Sequence, residues 1–373
     1  MRLSRIFAYC GFLVIWSVPV AAGPPPPAPG IFIADFNGDG KVDIAREGTG
    51  NIQIDHLDGT LSIGTGSFAN GGGVFQLRAV GDVNTDDNAD ILVQGAGTIR
   101  IDQTNAAGTG SASSVFIGDG GGSWLVRDLC DINGDGIDEV IAEGTGAALG
   151  AMRLTDISGV PTDSFISTAG GIWEFLFCLD ATGDGSQDLY FKGTGAATGV
   201  SRVNLAGTAT AVFFGQGGGV WDATLAADTN GDGIDDLLDT GNGVALGFNR
   251  VRVLNNLAFP TAVGFLPNGG GSLNLLTAAD HNADGRADLG YQGAASNKIT
   301  LMAADGVSEQ SSFFPPSAGG TAALNIAADT NGDGSADLIS VFANEDIFLQ
   351  TILSQVVSGS AVLPADGRVL FVP

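Results

Sequence analysis

Apolar and polar residues alternate in twos along most of this chain, and the runs break at glycine, asparagine and aspartate, the pattern of short β-strands joined by turns. Residues 74–117 display one unit: a strand from Val74 to Val80, an acidic loop, then strands over Ile91–Gln94, Thr98–Gln103 and Ser114–Ile117, lettered A to D. The unit recurs, with B strands such as Val140-Ile141-Ala142 and Leu189-Tyr190-Phe191 and C strands such as Met152-Arg153-Leu154 and Arg250–Val253. Only the start departs from it. Arg2 and Arg5 precede the apolar run Ile6 to Val20, which ends in Val20-Ala21-Ala22, so residues 1–22 read as a secretory signal peptide cleaved after Ala22. The run is short for a membrane span, and no later segment offers 18 consecutive apolar residues. Prolines 24–27 and Pro29 make residues 23–30 a stiff spacer ahead of a folded domain over 31–373.

The acidic loop, D-x-[NT]-x-D-[GD]-x-x-[DE], begins at Asp35, Asp82, Asp131, Asp180, Asp228, Asp280 and Asp329, with separations of 47, 49, 49, 48, 52 and 49 residues. That period holds four short strands and their turns. A closed ring fits better than a solenoid, whose rungs of this length are usually helical or leucine-rich. The expected fold is all-β: a seven-bladed β-propeller of four-stranded blades with one loop in each A–B hairpin. A glycine cluster, such as Gly71-Gly72-Gly73 or Gly120-Gly121-Gly122, follows each D strand, where glycine lets the chain pass tightly from rim to centre. In the last repeat, Ala365-Asp366-Gly367 matches Ala304-Asp305-Gly306, which makes Ser360–Pro364 and Arg368–Val372 the final C and D strands and 343–359 an insertion, with a short amphipathic helix starting at Asn344. A simpler alternative makes Asp346–Leu353 strand C.

Calcium takes six to eight oxygens at roughly 2.3–2.6 Å, so a calcium loop must aim several carboxylates and a carbonyl at one point. In blade one these are Asp35, Asn37, Asp39, the carbonyl of Lys41, and Asp43. The same positions are Asp82, Asn84, Asp86, Asn88 and Asp90 in blade two, and Asp131, Asn133, Asp135, Ile137 and Glu139 in blade three. Blade four offers Asp180, Thr182, Asp184, Ser186 and Asp188, and blade five Asp228, Asn230, Asp232, Ile234 and Asp236. Blades six and seven offer Asp280, Asn282, Asp284, Arg286 and Asp288, then Asp329, Asn331, Asp333, Ser335 and Asp337. An EF-hand would need flanking helices and a Glu at position twelve, where blade one has Arg46 and blade three Ala142.

With pieces such as Phe213-Phe214-Gly215 ahead of a glycine cluster, this loop and period resemble the FG-GAP/VCBS repeats of integrin-α-type propellers, in seven copies over residues 31 to about 338. The resemblance implies an extracellular propeller with calcium in the A–B hairpins, used for adhesion or recognition and sometimes attached to enzymes. The match weakens where Thr85 and Asp87 replace both loop glycines, where Thr182 replaces Asn, and where Ala283 replaces Gly; weaker sites are expected there.

Composition follows the loops. The chain has 41 acidic and 15 basic residues and a formal charge of −26, which disfavours nucleic acid and anionic lipid as partners. Each loop supplies three acids, and Asp87, Asp138 and Asp235 stand beside them as bystanders, so 24 of the 41 acids serve these seven windows. After signal cleavage Cys130 and Cys178 remain, too few for a disulfide framework and read as small buried hydrophobes. The histidines, His56 and His281, suggest no catalytic triad.

The face opposite the loops gathers the candidate ligand-binding residues. Phe75, Trp124, Trp173 and Trp221, then Leu273 and Ala322, each stand seven residues before a loop's first Asp, and so at one level of the ring. Such rings either offer stacking platforms at the channel mouth or pack between blades. Glu47, Gln94, Glu143, Lys192 and Gln292 from B strands, with Gln76, Arg78, Arg127, Glu174 and Asp222 from A strands, should share that mouth. The expected function is a secreted or cell-surface, calcium-stabilised, non-catalytic recognition or adhesion module, a monomer that binds a glycan or protein. The alternative is a secreted calcium-dependent polysaccharide lyase or hydrolase.

Overall fold

The computed structural model describes residues 31–95, 97–169, 172–204, 211–293, 297–316, 324–342, 346–353, 356–363 and 370–371. The expected signal peptide and proline spacer, and Ala322, lie outside the described residues. Seven antiparallel sheets follow one another along the chain, six of four strands and the last of five, each with its strands in sequence order. They form the seven blades of a β-propeller. Blade one, for example, comprises strand A (Ile31–Ala34), B (Asp43–Glu47), C (Asn51–Asp58) and D (Leu61–Ala69).

Seven hydrophobic clusters, one at each interface between neighbouring blades, form the core. Strand B of blade two shows why its sequence is a continuous apolar run. Ile91 and Val93 pack with blade one and Leu92 with blade three, so both faces are buried and no alternation survives. The ring closes without strand exchange: Ile33, Ile44 and Leu57 of blade one pack against Ile339, Ile347 and Leu349 of blade seven. In blades two to six strand A carries a one-residue bulge, at Arg78, Arg127, Leu176, Thr224 and Leu276.

Blade seven corrects the sequence reading. Its C strand is Ile347–Leu353 and its D strand Val356–Leu363, paired antiparallel from Leu353 and Val356 onward, with Leu370–Phe371 as a fifth strand. The simpler alternative holds, and neither the 343–359 insertion nor a helix running on from Asn344 exists as drawn. In blade six the Ala-Asp-Gly motif turns strand C into strand D. In blade seven the matching Ala365-Asp366-Gly367 lies outside the described residues.

The cysteines are the second correction. Cys130 and Cys178 form a disulfide, with Cα atoms 6.5 Å apart. Their separation of 48 residues is one repeat, so they occupy the ends of strand A in adjacent blades and meet beside the axis. Counting cysteines missed this; comparing their spacing with the repeat would have found it. Replacing both with serine is expected to cost about 3–4 kcal/mol, the chain-entropy value for a loop of this size. Urea denaturation of the double variant checks it.

Candidate functional site: the loop face and the opposite mouth

The acidic loops share one pattern of hydrogen bonds, broken at the third position of blade four, where Thr182 Oγ1 accepts none. In blade one the Asp35 carboxylate accepts the N–H groups of Gly38 and Gly40, both at 2.7 Å; Asn37 Oδ1 accepts Asp39 N–H, and Asp39 accepts Lys41 N–H, both at 3.0 Å. The ninth residue is buried and ties the hairpin to strand C: Asp43 accepts N–H from Phe36 at 3.1 Å and from Leu57 at 2.9 Å. Gly38 and Gly40 have φ of 71° and 80°. Thr85 (62°), Asp87 (65°) and Ala283 (58°) hold the same left-handed backbone without being glycine, a conformation that costs about 1–2 kcal/mol per residue.

The donor set is all oxygen and clusters three acids within nine residues, the chemistry a hard divalent cation requires. Burial pushes the carboxyls of Asp90, Glu139, Asp236 and Asp288 up to about 7, which opposing positive charge would reverse. Thr182 Oγ1, at the third ligand position of blade four, is buried without a hydrogen-bond partner. The residues fit calcium; where it binds, the first, third, fifth and ninth side chains and the seventh carbonyl would hold it.

The loops also lace the ring together, a role spacing alone does not reveal. The eighth residue of each loop donates its N–H to the carbonyl of the first Asp in the preceding blade's loop: Ala89 to Asp35, Asp138 to Asp82, Gln187 to Asp131, and so on to Ala336 and Asp280, at 2.6–3.0 Å. Val42 of blade one closes the circle on Asp329 of blade seven. Two bystander acids take part as well: Asp235 also accepts the N–H of Asp180 at 2.9 Å, and burial pushes the carboxyl of Asp138 up to about 7. Both histidines serve this face. His56 Nδ1 lies 2.8 Å from Asp43, and His281 is fully buried with Nδ1 2.6 Å from the carbonyl of Ala336.

At the opposite mouth, the polar ends of three B strands staple a blade to the next. Glu47 accepts Leu77 N–H at 3.2 Å, Gln94 bonds both Val126 N–H and the Trp124 carbonyl, and Lys192 pairs with Asp222 at 2.5 Å. Arg127 pairs with Glu143 of its own blade. The four aromatics lie across the sheet rather than into the channel. Each sits opposite a glycine that ends strand B, as Trp124 does Gly144, and a Cβ on Gly95 would stand 3.0 Å from the Phe75 ring. Trp173 is buried, and Phe75, Trp124 and Trp221 are half-buried. Over them lie the guanidinium groups of Arg100, Arg153, Arg202 and Arg250, 4.6–5.4 Å from the ring centroids. Those arginines reach back to the preceding blade, Arg153 to the Gly118 carbonyl at 2.8 Å and Arg202 to that of Ser167 at 2.9 Å. The packing alternative therefore describes most of the aromatic ring surface. Trp124 differs in also lining a cleft of about 380 Å³ between blades two and three, with Val74, Gln76, Arg78, Gln94 and Thr145.

No protein-family model matches the chain and no curated protein matches it. Solved structures do. The β-propeller domain of Myceliophteria thermophila Cps50 (Swd1) aligns with 86% of this chain and 95% of its own at 11% identity and a TM-score of 0.56. BBS1N, solved in complex with ARL6DN, aligns with 92% of this chain and 98% of its own at 10% identity and the same score. The fold is shared. An Agrocybe aegerita lectin that recognises non-reducing terminal N-acetylglucosamine also aligns, over 91% of this chain and 81% of its own, at 19% identity and a TM-score of 0.45, too low to carry weight. Identities this low bear on architecture alone.

Proposed function

We propose that this chain is a secreted, calcium-stabilised, non-catalytic recognition module whose glycan or protein ligand is read at the mouth opposite the acidic loops. The cleft between blades two and three carries the reading. It combines an accessible edge of Trp124 with the polar groups of Gln76, Arg78, Gln94 and Thr145, the mix of one apolar surface and a few directed polar groups found in ligand sites. Arg78 is the sharpest of these, for its Nε is buried without a hydrogen-bond partner and its guanidinium makes one bond, at 2.7 Å, to Gln76. Export to an oxidising compartment is supported by the Cys130–Cys178 disulfide. Calcium at the loops is supported by the oxygen donor set described above.

The test is a screen of calcium-loaded protein against glycans and extracellular proteins, repeated with Arg78→Ala. The variant is expected to lose about tenfold or more in affinity, the worth of a charged hydrogen bond, with its melting temperature unchanged. Unchanged affinity for every ligand found would place recognition elsewhere. Incubating each bound glycan with the protein and looking for shorter or unsaturated products separates this reading from a lyase or hydrolase.

A further inference from the structure

Four blades carry a large apolar ring where the fold gains little from one. Phe116, Phe165, Phe213 and Phe265 are 55–62% exposed, although each stands on an outer D strand beside well-packed neighbours. Register makes them equivalent. Phe116 pairs with Arg100, Phe165 with Arg153, Phe213 with Arg202 and Phe265 with Arg250, the cations that cover the strand-A aromatics. In three blades the exposed ring meets the strand-A tryptophan at centroid distances of 5.6, 5.9 and 5.6 Å. Each crevice at the rim therefore presents a tryptophan or phenylalanine at the back, a guanidinium in the middle and an open phenyl ring in front. Blade six lacks the unit, since Leu273 stands at its aromatic position and Lys298 lies over Tyr291 instead.

We propose that these four crevices are equivalent carbohydrate-binding sites, which make the protein multivalent. The proposal rests on the reading of the chain as a recognition module and adds sites separate from the mouth cleft. Carbohydrate fits the chemistry of the rings. The phenyl face suits the C–H face of a pyranose, and in two blades hydroxyl-binding groups stand along its edge, Ser114 bonded to Asp102 at 2.6 Å beside Phe116 and Asp163 bonded to Thr155 at 2.7 Å beside Phe165; Ala211 and Val263 hold the matching places beside Phe213 and Phe265. A protein partner or second copy fits poorly. One ring exposes at most about 200 Å², against roughly 800 Å² per partner for a stable interface, and successive blades turn their rings in different directions. The charge of −26 opposes an anionic membrane.

Calcium-loaded protein is applied to immobilised glycans ending in neutral hexoses, N-acetylhexosamines or uronic acids, each at sparse and dense spacing. For at least one class the apparent affinity is expected to rise about 100-fold from sparse to dense, the avidity of linked sites. The combined variant Phe116→Ser, Phe165→Ser, Phe213→Ser and Phe265→Ser loses that rise, whereas Val160→Ser, an exposed position outside both the four crevices and the mouth, keeps it. Native mass spectrometry with the matching monosaccharide shows one fewer bound sugar for each single substitution, a count that stands even where the combined variant folds poorly. A density gain that survives in a folded combined variant, or a sugar count unmoved by the single ones, overturns the proposal. Wild-type protein that binds no glycan overturns it too, and leaves a protein as the ligand of the mouth; loss with Arg78→Ala alone leaves the mouth as the glycan site and removes the rim.

Discussion

Removing divalent cations with a chelator at neutral pH is expected to lower the melting temperature by roughly 5–20 °C, and readdition of about 1 mM calcium, but not magnesium, to restore it. The size follows if each of the seven loops binds with the dissociation constant near 10⁻⁴–10⁻³ M of extracellular calcium modules. At about 1 mM each contributes roughly 0.4–1.4 kcal/mol, and together they reach about 3–10 kcal/mol, comparable to the stability of a whole domain. Magnesium fails because it demands a smaller octahedral shell and gives up water reluctantly. The pH dependence has opposite signs with and without the ion. Burial lifts Asp90, Asp236 and Asp288 from 3.8 to about 7. A carboxyl raised in the folded state stabilises the fold while protonated, so the chelated protein weakens as the pH climbs from about 4 to 7. Calcium needs the ionised form and gains affinity over the same window. A melting curve that ignores the chelator at every pH removes calcium from the account.

The second large effect is expected from Asp236→Ala, which should cost about 3–5 kcal/mol even in saturating calcium and lower the bound calcium by one ion per chain. Asp236 is fully buried. Its carboxylate accepts the N–H of Thr229 at 3.1 Å and of Leu254 at 2.9 Å, and the hydroxyl of Thr229 as well. The carbonyl of Gly306 in the next blade, 2.9 Å from the same hydroxyl, competes for its one proton. Removing the carboxylate strands two backbone donors. Denaturant titration reads the first effect and equilibrium dialysis the second. A variant of wild-type stability that still binds the full complement of calcium would refute the role given to the ninth acid of every loop.

The candidate site was legible in the residues to different depths. The hydrogen bonds within each loop were so, because they join residues two to seven apart and spacing reports such contacts directly; the bonds from loop to loop and from the ninth acid to strand C were not. The aromatic positions were legible as one level of the ring, but not their direction, which is fixed by the arginines of strand C that cover them and, for Phe75, by the room that Gly95 leaves for its ring. The exposed phenylalanines went unnoticed. Alternation marks them as one face of strand D, and only the curvature of the ring decides that the preceding blade leaves that face uncovered.

From residues alone came the repeat, the seven blades, the acidic make-up of the loops and the origin of the charge, all of which depend on local spacing repeated many times. The meeting of blade with blade was decided in three dimensions. The Cys130–Cys178 bridge, the circle of N–H bonds from each loop to the one before, the reach of Arg153 to Gly118 and the closure of blade one on blade seven all join residues about one repeat or more apart. Such contacts are set by how twisted sheets pack around an axis, and that geometry is written in no single repeat.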